Sequence, residues 1–210
     1  MEHKAHIIFT MKIQEIKPEG RRLIGNFHVR ACGHRQMSSK FVIRGAMIAT
    51  AYVVLAFTFE PISFEEIQLR VAEALTILPV FTSAAVPGLA IGCLLANTLC
   101  GAPLPDVLFG SLATLIGAAG TRKLRNRGPA LAVMPPIAAN MLMIPFVLRY
   151  AYEVPLPLPL MMATVGLGEA VSCGILGLLL HKALYAHRES MFGADEQDTA
   201  SQKNDRRESA

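Results

Sequence analysis

The chain has 210 residues, 52% of them hydrophobic and only 17% charged, and its mean hydropathy of +0.41 excludes an ordinary soluble domain. The formal net charge of +4 comes from basic ends and from the run Arg122 to Arg127, whereas Phe41 to Gly120 holds Arg44, Arg70 and five acids. That distribution excludes a nucleic-acid surface and marks the cytoplasmic flanks of a membrane domain.

Met1 to Lys40 is basic, bears His3, His6, His28 and His34, and has no sustained apolar period. It is not a secretory signal, because an apolar core of about 7–15 residues is missing before Phe41. Met37, followed by SSKFVIRG, is a plausible start for the membrane domain. The expected division is a basic extension over residues 1–40, disordered or read from an upstream start, a membrane domain over 41–184, and a polar cytoplasmic tail over 185–210.

The first expected span is Phe41 to Phe59, with Arg44 near enough to its start to snorkel to the interface. Gly45 and Ala49 are four residues apart, and Ala46 and Thr50 repeat the spacing. Such small-residue stripes let another helix approach closely, either a partner's or one of the same bundle.

EPISFEEIQLRVAE, Glu60 to Glu73, concentrates charge between apolar runs. Ionisable groups at membrane depth are costly unless paired, hydrated or used. Glu60, Glu65 and Glu66 read as solvated loop; Gln68, Arg70 and Glu73 read as substrate-facing, with the loop Glu60 to Leu69 expected to close over a ligand.

Val71 to Leu99 is too long for one comfortable span and is interrupted by Pro79, Pro87 and Gly88. A single helix would put Arg122 to Arg127 on the opposite side from Lys40 and Arg44, against the positive-inside rule. Two short helices, about Val71 to Phe81 and Ala84 to Leu99, resolve this, and short interrupted segments fit where they are buried in protein or line a cavity. A fourth span follows from about Leu104 to Gly120, and a fifth from about Ala130 to Leu148, bent by Pro135, Pro136 and Pro145, with Asn140 near its middle. The sixth, about Leu158 to Leu180, carries Glu169 near its centre. Both termini then fall inside, and Gln68, Arg70, Glu73, Asn97 and Asp106 gather towards the outer end, with Asn140 and Glu169 deeper. Polar groups converging from several segments predict a pocket.

Enzyme chemistry finds no support. The chain lacks GxxxxGK[ST] and has no histidine between Phe41 and Leu180, which removes a Walker site, the usual general base and the usual zinc ligand. Glu73 and Glu169 resemble an intramembrane carboxylate pair, but no protease motif flanks them. Cys32, Cys93, Cys100 and Cys173 lack CxxC or Cys/His spacing and read as packing residues, with no metal and no cofactor implied. What the polar set offers is recognition: carboxylates accept from an N–H edge, amides pair with a carbonyl and its neighbour, and Arg70 pairs with an acid or binds an acceptor. A flat heterocycle with a guanine-like edge suits these groups.

PISFEEIQLRVAEALTILPVFTSAAVPGLAIGCLLANTL, then DVLFGSLATLIGA, the pair Pro135 and Pro136 with Asn140, and GLGEAV at Gly166 to Val171 resemble the QueT family. Its members are substrate-binding (S) components of energy-coupling factor (ECF) transporters for queuosine precursors. The resemblance spans about Met37 to Leu184. It implies a six-transmembrane-helix S-component bundle in the plasma membrane, with helices 2 and 3 short and interrupted by Pro and Gly. It further implies that the bundle takes a 7-deazaguanine from outside and docks, through Gly45, Ala46 and Ala49, on a transmembrane coupling subunit (T component) with two ATPase subunits. On this reading Gln68, Arg70, Glu73, Asn97, Asn140 and Glu169 form the substrate site. Another small vitamin or nucleobase as substrate, and a ligand-free membrane scaffold, are the alternatives.

Overall fold

The computed structural model describes residues 39–59, 70–188 and 190–192. The expectations for the N-terminal extension, for the loop bearing Glu60, Glu65, Glu66 and Gln68, and for the tail after residue 192 fall outside the described residues.

All regular elements among the described residues are helical. Helix α1 is Ser39–Thr58, followed by a 3₁₀ helix over Val71–Val80. Then come α2, Ala85–Leu99, and α3, Leu104–Leu124, which runs into a 3₁₀ turn at Arg125–Arg127. A single turn, α4 at Pro129–Ala132, precedes α5, Met134–Tyr150. The last rod is α6, Leu158–Glu169, a π-helical segment over Ala170–Leu176, and α7, Gly177–Tyr185. Four stretches are long and apolar enough to cross a membrane: Ser39–Thr58, Leu104–Arg127, Pro129–Tyr150 and Leu158–Tyr185. Val71–Val80 and Ala85–Leu99 are shorter apolar helices, so the interrupted region divides in two, as expected from its prolines and glycine.

Exposed Val42, Ile43, Met47, Val54 and Phe57 cover the outside of α1, the surface a lipid-facing helix presents when its surroundings are as apolar as its core. Its inner face packs on α2 by close backbone approach. A Cβ on Gly88 would lie 2.6 Å from the Gly45 carbonyl oxygen, and one on Gly92 would lie 2.8 Å from Tyr52 Cβ and 3.1 Å from Ala49 Cα. The Gly45 and Ala49 stripe is therefore occupied within the chain, by α2; Ala46 and Thr50 lie on the exposed side of α1.

Packing between α3 and α5 uses the same device. Cβ atoms at Gly117 and Gly120 would reach to 2.6 Å from Pro136 Cα and 2.5 Å from Pro135 Cβ. Pro135 and Pro136 do not bend a continuous helix, as the sequence led us to expect. They occupy the first turn of α5 after a break at Val133, where a missing N–H costs nothing because the first turn has no intrahelical acceptor for it. Pro145 lies inside α5.

The 3₁₀ helix is the centre of the bundle. Every residue from Ala72 to Pro79 is buried, and the segment packs against α1, α2, α3, α7 and the π segment. Its rise of roughly 2.0 Å per residue spans about 20 Å over ten residues, so it is longer than an α-helix of that sequence and still short of a bilayer core of about 30 Å. Its C-terminal carbonyls need partners, and Arg122 Nη1 supplies them, donating to Pro79 O at 3.0 Å and Val80 O at 3.3 Å. One member of the basic loop is thus a helix cap from α3. At the same end Phe81 stacks on His181 and on Phe192, with ring centroids 5.1 and 5.4 Å apart, so the chain stays attached to the bundle to Phe192, beyond the expected limit at residue 184.

Candidate functional site

Two polar layers meet around the 3₁₀ helix. The outer layer begins at Arg70, the residue that leads into this helix with φ −91° and ψ 89°. Arg70 Nη2 donates to Asn97 Oδ1 at 2.7 Å, and Asn97 Nδ2 donates to the Asp106 carbonyl oxygen at 3.2 Å. This fixes the orientation of the Asn97 amide from both ends. Asp106 enters from the first turn of α3 and receives the Tyr152 hydroxyl on Oδ2 at 2.7 Å. Burial, and then the hydrogen bond to Asp106, push the Tyr152 phenol well up from its ordinary value, so it remains a donor at neutral pH. These groups line a recess with Tyr52, Ile144 and Leu148.

The inner layer is buried. Glu73, at 0% exposure, and Glu169, at 2%, face each other, and with the Cys173 thiol they place one ligand-type atom each within 4.8 Å of one another. Tyr52 donates to Glu73 Oε1 at 2.6 Å and Thr114 donates to the same oxygen at 3.2 Å. Cys173 Sγ, one α-helical turn past Glu169 in sequence, donates to Glu169 Oε2 at 3.1 Å, and Thr76 anchors on the Glu73 carbonyl at 2.6 Å. Asn140, buried at 1% exposure, lies beside Glu169.

Hydrogen-bond capacity remains in both layers. Among the described residues Glu73 Oε2, both amide atoms of Asn140 and Asp106 Oδ1 are buried without completing a hydrogen bond. A buried polar group left unmatched costs about 1–3 kcal/mol, so several of them together call for an explanation. The layers communicate through Tyr52, which lines the recess and holds Glu73.

Of the six substrate residues expected from sequence, Arg70 and Asn97 lie in the outer layer and Glu73, Asn140 and Glu169 in the inner one; Gln68 falls outside the described residues. Sequence reading passed over Tyr52, Thr76, Thr114, Cys173 and Tyr152, and it left Asp106 out of the site. A tyrosine in the middle of an apolar span is a legible signal, because its hydroxyl needs a partner when buried; nothing in the sequence marks Thr114.

A family model described as QueT transporter matches residues 42–186. No curated protein matches the chain, and no solved structure does.

Proposed function

We propose that this chain, which belongs to the QueT transporter family, is the substrate-binding S component of an ECF-type importer and captures a 7-deazaguanine, a queuosine precursor, from outside the cell. Membership of a transporter family makes it a membrane transport protein. The observation that carries the finer reading is the inner layer: two buried carboxylates and an asparagine with Glu73 Oε2 and both Asn140 amide atoms unmatched. A guanine-like edge presents N–H donors beside a carbonyl, which is the complement of that set. Glu73 and Glu169 accept from the N–H edge, Asn140 completes the pairing, and Asn97, held by Arg70, reads the ligand from the outer side together with Gln68.

Six segments cross or enter the membrane in this reading, the short pair lining the cavity, with both termini cytoplasmic in the plasma membrane. ATP is hydrolysed by two partner subunits, and the T component docks on the exposed side of α1 around Ala46, with Gly45 and Ala49 supporting that face from within. A hydrogen bond to a charged group contributes about 1.5–3 kcal/mol. Glu73→Gln and Glu169→Gln are therefore expected to weaken 7-deazaguanine binding by about tenfold or more, measured by isothermal titration in detergent. Wild-type affinity in both variants overturns the assignment. A thermal-shift panel of vitamins and nucleobases separates substrates: stabilisation by another member and none by any 7-deazaguanine replaces the ligand, and no stabilisation by anything favours a scaffold.

A further inference from the structure

Within the inner layer, carboxyl groups from the 3₁₀ helix and from the end of α6 meet a thiol four residues beyond the second of them. Glu73, Glu169 and Cys173 offer one donor atom each, all within 4.8 Å of one another, and the three residues are 0%, 2% and 0% exposed. Cys173 Sγ is 3.1 Å from Glu169 Oε2. Donors about 2.0–2.3 Å from a tetrahedral ion stand about 3.3–3.6 Å apart, so small side-chain rotations bring the three onto one centre. A bare ion needs only the gap between its donors.

Asn140 points to the same place. It is 1% exposed and lies beside Glu169, and its two amide atoms are buried without a hydrogen bond among the described residues, so its Oδ1 is available as a fourth donor. The surroundings hold the donors as the outer partners of metal ligands do. Tyr52 and Thr114 donate to Glu73 Oε1 and leave Oε2 unmatched, while Thr76 Oγ1 lies 3.2 Å from Cys173 Sγ. Charge agrees, because buried carboxylates are kept when they are paired or coordinate a metal. Arg70 reaches both carboxyls through its field, while its Nη2 hydrogen-bonds Asn97.

We propose that Glu73, Glu169, Cys173 and Asn140 form a binding site for a divalent transition-metal ion of the zinc and cobalt type in the ligand-free protein. A thiolate beside carboxylates and an amide oxygen favours such an ion over Mg²⁺ or Ca²⁺, which take oxygen donors in larger number. On binding, the Cys173 thiol gives its proton to solvent and its sulfur bonds the metal. Glu73 Oε2 and Asn140 are also the atoms assigned to the heterocycle, so ion and heterocycle exclude each other.

The test is titration of Co²⁺ into the full chain in detergent, chelator-treated and free of any affinity tag, with no heterocycle present. A thiolate-to-cobalt charge-transfer band is expected in the near ultraviolet, displaced by Zn²⁺ and not by Mg²⁺, and bleached by added 7-deazaguanine. Cys173→Ser is expected to remove the band and Glu169→Gln to weaken Co²⁺ binding by about tenfold or more. Cys32→Ser, in the histidine-bearing N-terminal segment, is expected to keep it. No band in the wild-type protein overturns the inference whether or not the variants fold. A band that survives in Cys173→Ser, is lost in Cys32→Ser, yields to Mg²⁺ or persists with the heterocycle bound also overturns it. Binding of 7-deazaguanine without a Co²⁺ band removes the inference and leaves the functional reading standing, whereas a band without heterocycle binding removes that reading and keeps the metal site.

Discussion

At the residue scale, Tyr52 and Glu73 show why polar groups can be kept at membrane depth. The Tyr52 hydroxyl and the Thr114 hydroxyl both donate to Glu73 Oε1, so one oxygen of the carboxyl group is satisfied by the protein while the other carries no hydrogen bond among the described residues. Tyr52→Phe removes the shorter bond without changing the packing volume much. It is expected to destabilise the ligand-free protein by about 1–3 kcal/mol, read as a lower thermal midpoint in detergent; an unchanged midpoint would show that the bond contributes nothing. Glu73 and Glu169 were each legible in the sequence, because a carboxyl side chain in an apolar segment demands an explanation. The sequence raised them as a pair, but the geometry of their meeting was not legible, since it depends on the 3₁₀ helix that carries Glu73 and on the last turn of α6, which carries Glu169. Thr114 was illegible for a different reason: threonines in membrane helices commonly bond back to their own backbone, and this one shares its single hydroxyl proton between Gly110 O at 3.0 Å and Glu73 Oε1 at 3.2 Å.

At the element scale, glycines decide how closely helices approach, and each has a calculable consequence. Glycine in a helix interior normally costs about 0.5–1 kcal/mol relative to alanine, so replacement in open space is neutral or favourable. Gly88 and Gly117 are different, because a Cβ there would lie 2.6 Å from Gly45 O and from Pro136 Cα, backbone atoms that cannot swing aside. Gly88→Ala and Gly117→Ala are expected to destabilise by about 1–3 kcal/mol. Gly174→Ala, with nothing within 4 Å of the added atom, is expected to leave the thermal midpoint unchanged or raise it. The reverse order would contradict the α1–α2 and α3–α5 packing. The sequence disclosed the small-residue stripe on α1 but not its partner, because spacing on one helix shows which face permits close approach and says nothing about what approaches it. The division of Val71 to Leu99 into two short helices was legible through Pro79, Pro87 and Gly88 and through the distribution of basic residues. The helix type was not. A ten-residue 3₁₀ run exceeds the usual length and is held by burial on all sides and by the Arg122 cap, which are tertiary effects.

At the scale of the whole molecule, the chain is a helical membrane protein whose most buried element is short and polar on one side, ringed by long apolar helices. The long apolar spans and the two short interrupted segments between them were readable from composition and charge, while the outer layer was only partly so: Arg70, Asn97 and Asp106 were seen to share an end, but Tyr152 sits in a loop with no sequence signal. Reporter fusions test the orientation. A fusion after Arg127 is expected to report the cytoplasm and one after Glu153 the outside, and the opposite pattern would invert the direction of capture. If the inner carboxylates and Asn140 receive a 7-deazaguanine, the decisive measurement is a structure of the full chain with that heterocycle bound. The expected result places its N–H edge within hydrogen-bond distance of Glu73 Oε2 and its carbonyl side against an asparagine amide. A heterocycle seated away from Glu73, Asn140 and Glu169, with those atoms still unmatched, would contradict it.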